Sequence, residues 1–463
     1  MTASGITRRT LFAAGLAFGC ARLAAAPGET EEGFDVVVVG GGIGGLSAAL
    51  SAAERNAKVV LLEKNAFLGG DTLISGGTFN AVDPERQRPL GIEDSVEFFE
   101  RQILESGGGY NDPKVVRVLV EGAGDAIRWL ESYGMRFLPE LAEIYGSGWV
   151  RAHRPAYPRG RGYILCLTNA CLDRGVKIRM KVRARELLAD TAGRVVGVRA
   201  DTEKGTVVYR AEKGVILASG GFAANRELLR RYAPEYASLP IDGLPSSTGD
   251  MLTAAQEIGA DAVNLGFVEC IPGAPPGIAY QVRLDYNSED CIMVNSEGRR
   301  FTEETGTRRE IAAAVSGQKG PCYEIADQGS VERMIVNNQK DLWRGYFAKV
   351  AVKDDTPEGL ARRLGLPEAA VAEEVGRALA SGKFEKPPFW GVRIHLRIHC
   401  TLGGLRIDEK ARVLDGNGRP IPGLRAAGSL VGNVHGINRL GANGLNSACV
   451  FGRIAGAETA RNI

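Results

Sequence analysis

The sequence predicts an α/β fold, and three segments carry that prediction. "FDVVVVGGGIGGLSAALSAAERNAKVVLLEK" (34–64) joins a buried-strand run, a glycine turn, an alanine-rich helix, a second strand and an acid. "GVILASGGFAAN" (214–225) is another apolar strand running into a glycine turn. "IPGLRAAGSLVGNVHGINRLGANGLNSACVFGRIAG" (421–456) supplies a strand, a glycine-rich loop and a closing helix.

The N-terminus precedes the fold. "TRRTLFAAGLAFGCARLAAA" (7–26) places Arg8 and Arg9 before an apolar run from Leu11 to Leu23, then Ala24 to Ala26 ahead of Pro27. Charge, apolar run and small-residue cleavage site in that order predict a twin-arginine-type export signal. The run falls short of the ~20 apolar residues that a membrane span needs, so no transmembrane segment is expected in the mature chain. Residues 1–26 are set aside from the fold, and a cargo outside the cytoplasmic membrane, in a periplasm, is expected. Resemblance to twin-arginine signals implies export in the folded state, with a cofactor loaded beforehand.

The chain has 463 residues, 57 Lys+Arg against 55 Asp+Glu, and removal of Arg8, Arg9 and Arg22 leaves the remainder one charge negative. That balance excludes a nucleic-acid footprint. At 44% hydrophobic and 24% charged, the chain can bury a large core and divide into two domains. Its 61 glycines cluster in motifs rather than repeats. The eight cysteines show no CxxC, CxxCH or zinc-type spacing, so no metal site, iron–sulfur cluster or attached c-type haem is expected.

In the first segment Val36 to Val39 read as a strand, Gly40, Gly42 and Gly45 form the turn, and Val59 to Leu62 read as a strand ending at Glu63. Glycines there permit the tight turn and the approach of a pyrophosphate to a helix N-terminus, while Glu63 can accept from ribose hydroxyls. A lone GxGxxG is weak; strand, helix, second strand and terminal acid in order make this one specific. Lys64 follows directly. Gly69-Gly70 and Ser75-Gly76-Gly77 in "NAFLGGDTLISGG", then Ser219-Gly220-Gly221, are backbone-rich segments suited to wrapping an extended flavin. FAD is favoured over NAD.

With these segments in view, the chain resembles the flavoprotein subunits of the fumarate reductase, succinate dehydrogenase and flavocytochrome c family. The resemblance rests on the LLEK and SGG segments, "ASGGF", "NSEGRRFTEETGTRRE", "IHCTLGG" and "GNVHGINRLGANGLNSACVFGRIAG", and covers most of residues 33–463. It implies a Rossmann-like FAD-binding domain built from 33–224 and 391–463, with an inserted α+β capping domain at 225–390. Within the cap, Thr356-Pro357 reads as a helix start and Gly382 as a stop, and Pro387-Pro388 would stiffen a hinge. A closing cap would keep water from reduced flavin.

The resemblance also implies roles. His399 and Arg439 match positions that grip a substrate carboxylate, a task that suits a forked guanidinium. Arg308 matches the family's proton donor, which must receive one proton as it passes another. His435 would organise the flavin loop. Asn443, with Leu445 beside it, would open a helix whose N-terminus faces the flavin pyrimidine ring. Ser429 stands where the family usually has an acid, weakening one FAD contact. No histidine sits in an attachment motif, so FAD is expected to be non-covalent.

The pattern departs from the family at the second carboxylate grip. Ile271 stands at the family's histidine, and Arg283-Leu284 at its Thr-Glu pair; an apolar isoleucine cannot hold a carboxylate. Leu284 and Asn287 also stand where the family has the acid and arginine that feed the proton donor, so Asp285, Glu289, Asp290 or water would take over. Arg283 is either a new anionic grip or a surface arginine. The expected activity is therefore reduction of an activated C=C bond in an α,β-unsaturated carboxylate other than fumarate. Without its own haem, the protein would draw electrons from a cytochrome c or a quinol-linked donor. Two alternatives are a ketosteroid-dehydrogenase-like enzyme that introduces a C=C bond and a non-catalytic flavin electron carrier.

Overall fold

The computed structural model describes residues 29–278, 280–286 and 288–461. The expected export signal and Asn287 lie outside them.

Strand β1 (Thr30–Val39) begins earlier than Val36, and Val36 to Val39 are almost fully buried, as expected for a strand covered on both faces. Gly40 turns the chain at φ +109°, where a Cβ would lie 2.3 Å from Ala218 O, so only glycine fits. Helix α1 (Ile43–Ala53) follows, every residue buried, and then β2 (Val59–Glu63). After further helices, the longest of them Pro113–Ser132, come β3 (Lys177–Met180), β4 (Arg183–Ala189), β5 (Val195–Thr202) and β6 (Gly205–Leu217). β1 pairs in parallel with both β2 and β6, and β3 extends the sheet beyond β2.

Residues 229–270 still contribute to this larger core, through Leu229, Met251, Val268 and Cys270. The next strand, β7 (Val268–Gly273), crosses into the inserted unit, whose core begins at Ile271. That unit contains β8 (Ile292–Val294), α2 (Arg308–Ser316), β9 (Tyr323–Ala326), α3 (Val336–Phe347), β10 (Ala351–Asp354), α4 (Pro357–Leu364), α5 (Glu368–Ala380) and β11 (Phe389–Arg393). Its antiparallel sheet runs β8-β9-β11-β10, and helices cover it. Thr356 caps α4 by accepting from Gly359 N at 3.0 Å, and Gly382 (φ +77°) follows α5. Gly365 (φ +72°) and Pro367 divide the helical stretch in two, a break the amphipathic pattern did not reveal.

β11 straddles the expected 390/391 boundary, and its pairing lies wholly within the inserted sheet. By packing, the chain returns to the larger core between Ile394 and Ile398. The returning strand β12 (His395–Thr401) pairs antiparallel with β7. β13 (Arg412–Leu414) and β14 (Pro420–Ala426) complete the large sheet, β14 lying parallel to β6. Helix α6 (Asn443–Arg461) closes the fold against α1. A Cβ at Gly452 would lie 2.3 Å from Gly44 O and one at Gly456 2.1 Å from Ala48 O, so the two backbones touch. Among the described residues no helix is long and apolar enough to cross a membrane.

Candidate active site

A single cleft runs from the glycine turn after β1 to the inserted unit, and it gathers most of the predicted residues. Gly40, Gly42, Glu63 and Lys64 line one end; Gly70, Ser75, Gly76 and Gly77 line its flank. Ser219, Gly220, Ser429 and Leu445 line the floor. Glu63 accepts from Gly41 N and Asn65 N, each at 2.8 Å, which holds its carboxylate at the end of β2. The Lys64 ammonium is engaged by Thr248 at 2.6 Å and Asp250 at 3.1 Å rather than free for a ligand.

Two predicted cofactor residues lie behind the cleft wall. A Cβ at Gly45 would sit 1.8 Å from Gly40 O, so this glycine closes the turn on the helix rather than touching a ligand. Asn443 is fully buried and accepts from Asn80 Nδ2 at 2.8 Å, while its own Nδ2 has no protein partner. Its neighbours Ala442, Gly444 and Leu445 bring the α6 N-terminus to the cleft instead.

The other end of the cleft is built on a strand irregularity. β7 and β12 pair Glu269 with Cys400 and Cys270 with Ile398, leaving His399 as the extra residue of a bulge. Bulges re-aim side chains, and His399 enters the cleft here. Its Nδ1 lies 3.0 Å from Asp242 Oδ2, and Gln281 Nε2 donates to both oxygens of Asp242 at 3.0 and 2.9 Å. Burial pushes the Asp242 carboxyl up, but the His399 contact and Gln281 outweigh it and hold it below its usual range. An ionised Asp242 takes the Nδ1 proton as its hydrogen bond and leaves Nε2 for the cleft.

Arg308 is the first residue of α2, set there by a capping box: Thr307 Oγ1 accepts from Glu310 N at 3.2 Å and Glu310 Oε2 from Thr307 N at 2.8 Å. Arg439 comes from the glycine-rich loop before α6. Both guanidinium groups donate to Glu269 Oε1, Arg308 Nη1 at 2.6 Å and Arg439 Nη2 at 2.8 Å. Arg439 N adds a bond to Oε2 at 3.3 Å, and Arg308 Nη2 reaches Tyr145 O at 3.2 Å. Burial pushes Glu269 up, yet the two arginines overcome it and lower its pKa to about 2. Arg308, His399 and Arg439 all line the cleft; Glu269 stands behind them.

Ile271 and Arg283 form the opposite wall. Arg283 is buried, paired with Asp285, and its guanidinium lies 5.2 Å from the Tyr145 ring and 5.3 Å from the Tyr286 ring, so it is no surface arginine. Leu284 is not part of the wall: its side chain packs in the inserted core, and its N–H donates to Glu324. Residues 284–286 form a bend and turn, which carries Leu284 into the core while Arg283 lines the cleft. Burial and neighbouring Asp285 push the Glu324 carboxyl well above its usual range. Asp285 and Asp290 serve Arg283 and Arg333, and neither touches Arg308. His435 is buried, bonded to Ser447 Oγ at 3.2 Å, and lies off the cleft.

The sequence reading missed Glu269 and Asp242. Glu269 stands two residues before Ile271 in "ECIPG", which the period of a strand places on the same face, so alternation carried a signal for it. Nothing local marks Asp242, which reaches His399 only through the fold.

An extended flavin nucleotide fits these residues: glycine-lined approaches at both turns, open space around Gly70 and Gly76, a helix N-terminus, and an unpartnered buried hydroxyl at Ser219. The FAD binding domain family matches residues 35–445. A probable fumarate reductase, Ifc3, of Shewanella frigidimarina (strain NCIMB 400) is 33% identical over 458 residues, 95% of this chain and 76% of that one. A urocanate reductase of Eggerthella lenta is 33% identical over 460 residues, covering 94% and 76%. The open conformation of a flavocytochrome c3 fumarate reductase superimposes with a TM-score of 0.75 at 31% identity, covering 100% of this chain and 83% of that one. The chain thus belongs to the FAD-binding fumarate reductase, succinate dehydrogenase and flavocytochrome c family of flavoproteins, and FAD is its cofactor.

Proposed function

We propose that this FAD-dependent oxidoreductase reduces the activated C=C bond of an α,β-unsaturated monocarboxylate. The convergence of Arg308, His399 and Arg439 in one cleft whose lining also includes the apolar Ile271 carries the reading. Arg439 holds the carboxylate, joined by His399 Nε2–H when the ring carries both protons, and together they draw electron density from the alkene. Bound non-covalently and reduced by two electrons, FAD supplies the hydride taken up at the β-carbon. Arg308 delivers the proton to the α-carbon, so one enoate, two electrons and two protons give one saturated acid. Its guanidinium is kept aimed by Glu269 and Tyr145 O, and it regains its proton from solvent between turnovers. The inserted unit, whose core runs from Ile271 to Ile394, acts as the cap that shields this step from water.

Electrons come from a separate cytochrome c or quinol-linked donor. The arginine pair and small-residue tract of residues 7–26 support export of the folded, loaded protein to the periplasm, a setting suited to anaerobic respiration. The test is anaerobic stopped-flow reoxidation of the reduced protein by acrylate, methacrylate, cinnamate, urocanate and fumarate. Fast reoxidation by monocarboxylates but not fumarate is expected. Reoxidation by none of them removes the reading.

A further inference from the structure

Glu269 is a carboxylate that two of the cleft arginines, Arg308 and Arg439, share. Its Oε1 accepts from Arg308 at 2.6 Å and Arg439 at 2.8 Å, and its side chain is 2% exposed. Arg283, across from them in the same cleft lining, is paired with its own carboxylate, Asp285. Within this hydrogen-bonded cluster two guanidinium cations and one carboxylate leave a single net positive charge beside the substrate position. We propose that Glu269 sets this charge and so selects substrates bearing one carboxylate over those bearing two. The inference rests on the reading above that Arg308 and Arg439 face the substrate.

A monocarboxylate neutralises such a site, whereas a dicarboxylate leaves an uncompensated negative charge where few waters can screen it. At about 6 Å and an effective dielectric near 20, one unit charge alters binding by about 10- to 100-fold. A purely scaffolding Glu269 would instead affect both kinds of acid alike. The discriminating quantity is the ratio of two affinities.

Oxidised holoenzyme is titrated with propionate, 3-phenylpropionate and succinate, and binding is followed by the flavin absorbance change, without turnover. Wild type is expected to bind the monocarboxylates more tightly than succinate. In Glu269→Gln the ratio of succinate Kd to propionate Kd should fall by about 10- to 100-fold, and Glu269→Asp, which keeps the charge, should retain the wild-type ratio. A ratio within threefold of wild type in Glu269→Gln overturns the proposal, as does an equal shift in both variants, which would assign the effect to shape. Should Glu269→Gln fail to hold flavin, Glu269→Met, neutral and of similar length, is read by the same ratio and the same threefold limit. If the ratios behave as stated but no enoate reoxidises the flavin, charge selection stands and the reductase reading falls.

Discussion

Replacing Arg439 by lysine keeps a positive charge and removes the fork. Arg439 donates to Glu269 through Nη2 at 2.8 Å and lies against the start of α6, where a Cβ on Gly444 would stand 3.0 Å from Nη1. A guanidinium in this place can hold Glu269 with one edge and a substrate carboxylate with another; an ammonium serves as a point charge. Losing one charge-assisted hydrogen bond costs about 1.5–3 kcal/mol, which at about 1.4 kcal/mol per decade is about 10- to 100-fold. Because negative charge builds on the carboxylate as hydride arrives, the loss should fall on kcat as well as on KM, and the Kd of the saturated acid isolates the ground-state share. The assay is anaerobic flavin reoxidation over a range of enoate concentrations, beside the Kd of the corresponding saturated acid. A lysine variant with wild-type flavin content whose KM and Kd stay within threefold would show that the carboxylate is held elsewhere.

Three further outcomes follow from the same structure. Burial, then Arg439, lowers the His435 pKa from 6.5 to about 3, and Glu269 falls from 4.5 to about 2. The unfolded chain takes up these protons first, so stability should drop with pH by about 1.4 kcal/mol per unit for each group: His435 from pH 6.5 downward, joined by Glu269 below 4.5. Urea unfolding at pH 7 and pH 5 checks this, and His435→Asn should flatten the slope between them; an unchanged slope assigns it to other groups. Thr307→Ala removes the acceptor of Glu310 N, and urea unfolding should show a loss of about 1 kcal/mol, with slower enoate turnover because Arg308 loses its fixed start of α2. Gly452→Ala drives a Cβ to 2.3 Å from Gly44 O, and a thermal melt with flavin quantification should report a loss of about 1–3 kcal/mol or more and weakened FAD retention.

The flavin end of the cleft was legible because its requirements are local. Gly40 and Gly45 are glycines for steric reasons set within a few residues and one neighbouring strand, and Glu63 ends β2 where the motif places it. Even there, lining and support looked alike in sequence: Gly45 and Asn443 turned out to hold the wall rather than form it. The substrate end was harder to read. Arg308 has a local signature in its capping box, but His399 gains its aim from a bulge visible only once β7 and β12 are paired. Arg283 and Leu284 part at an irregular turn, where no strand period told which of them faced inward.

The sequence by itself determined the dinucleotide-binding unit, through periodicity and glycine sterics, and the family, through long motifs whose resemblance pointed to the three cleft side chains. Only the tertiary structure decided that Glu269 joins Arg308 to Arg439, that Asp242 orients His399, and that Arg283 is buried and neutralised by Asp285. Net charge at a site and the pKa of a buried carboxyl are sums over groups brought within a few ångströms from distant segments, with water removed. No stretch of chain encodes such a sum until the fold has formed.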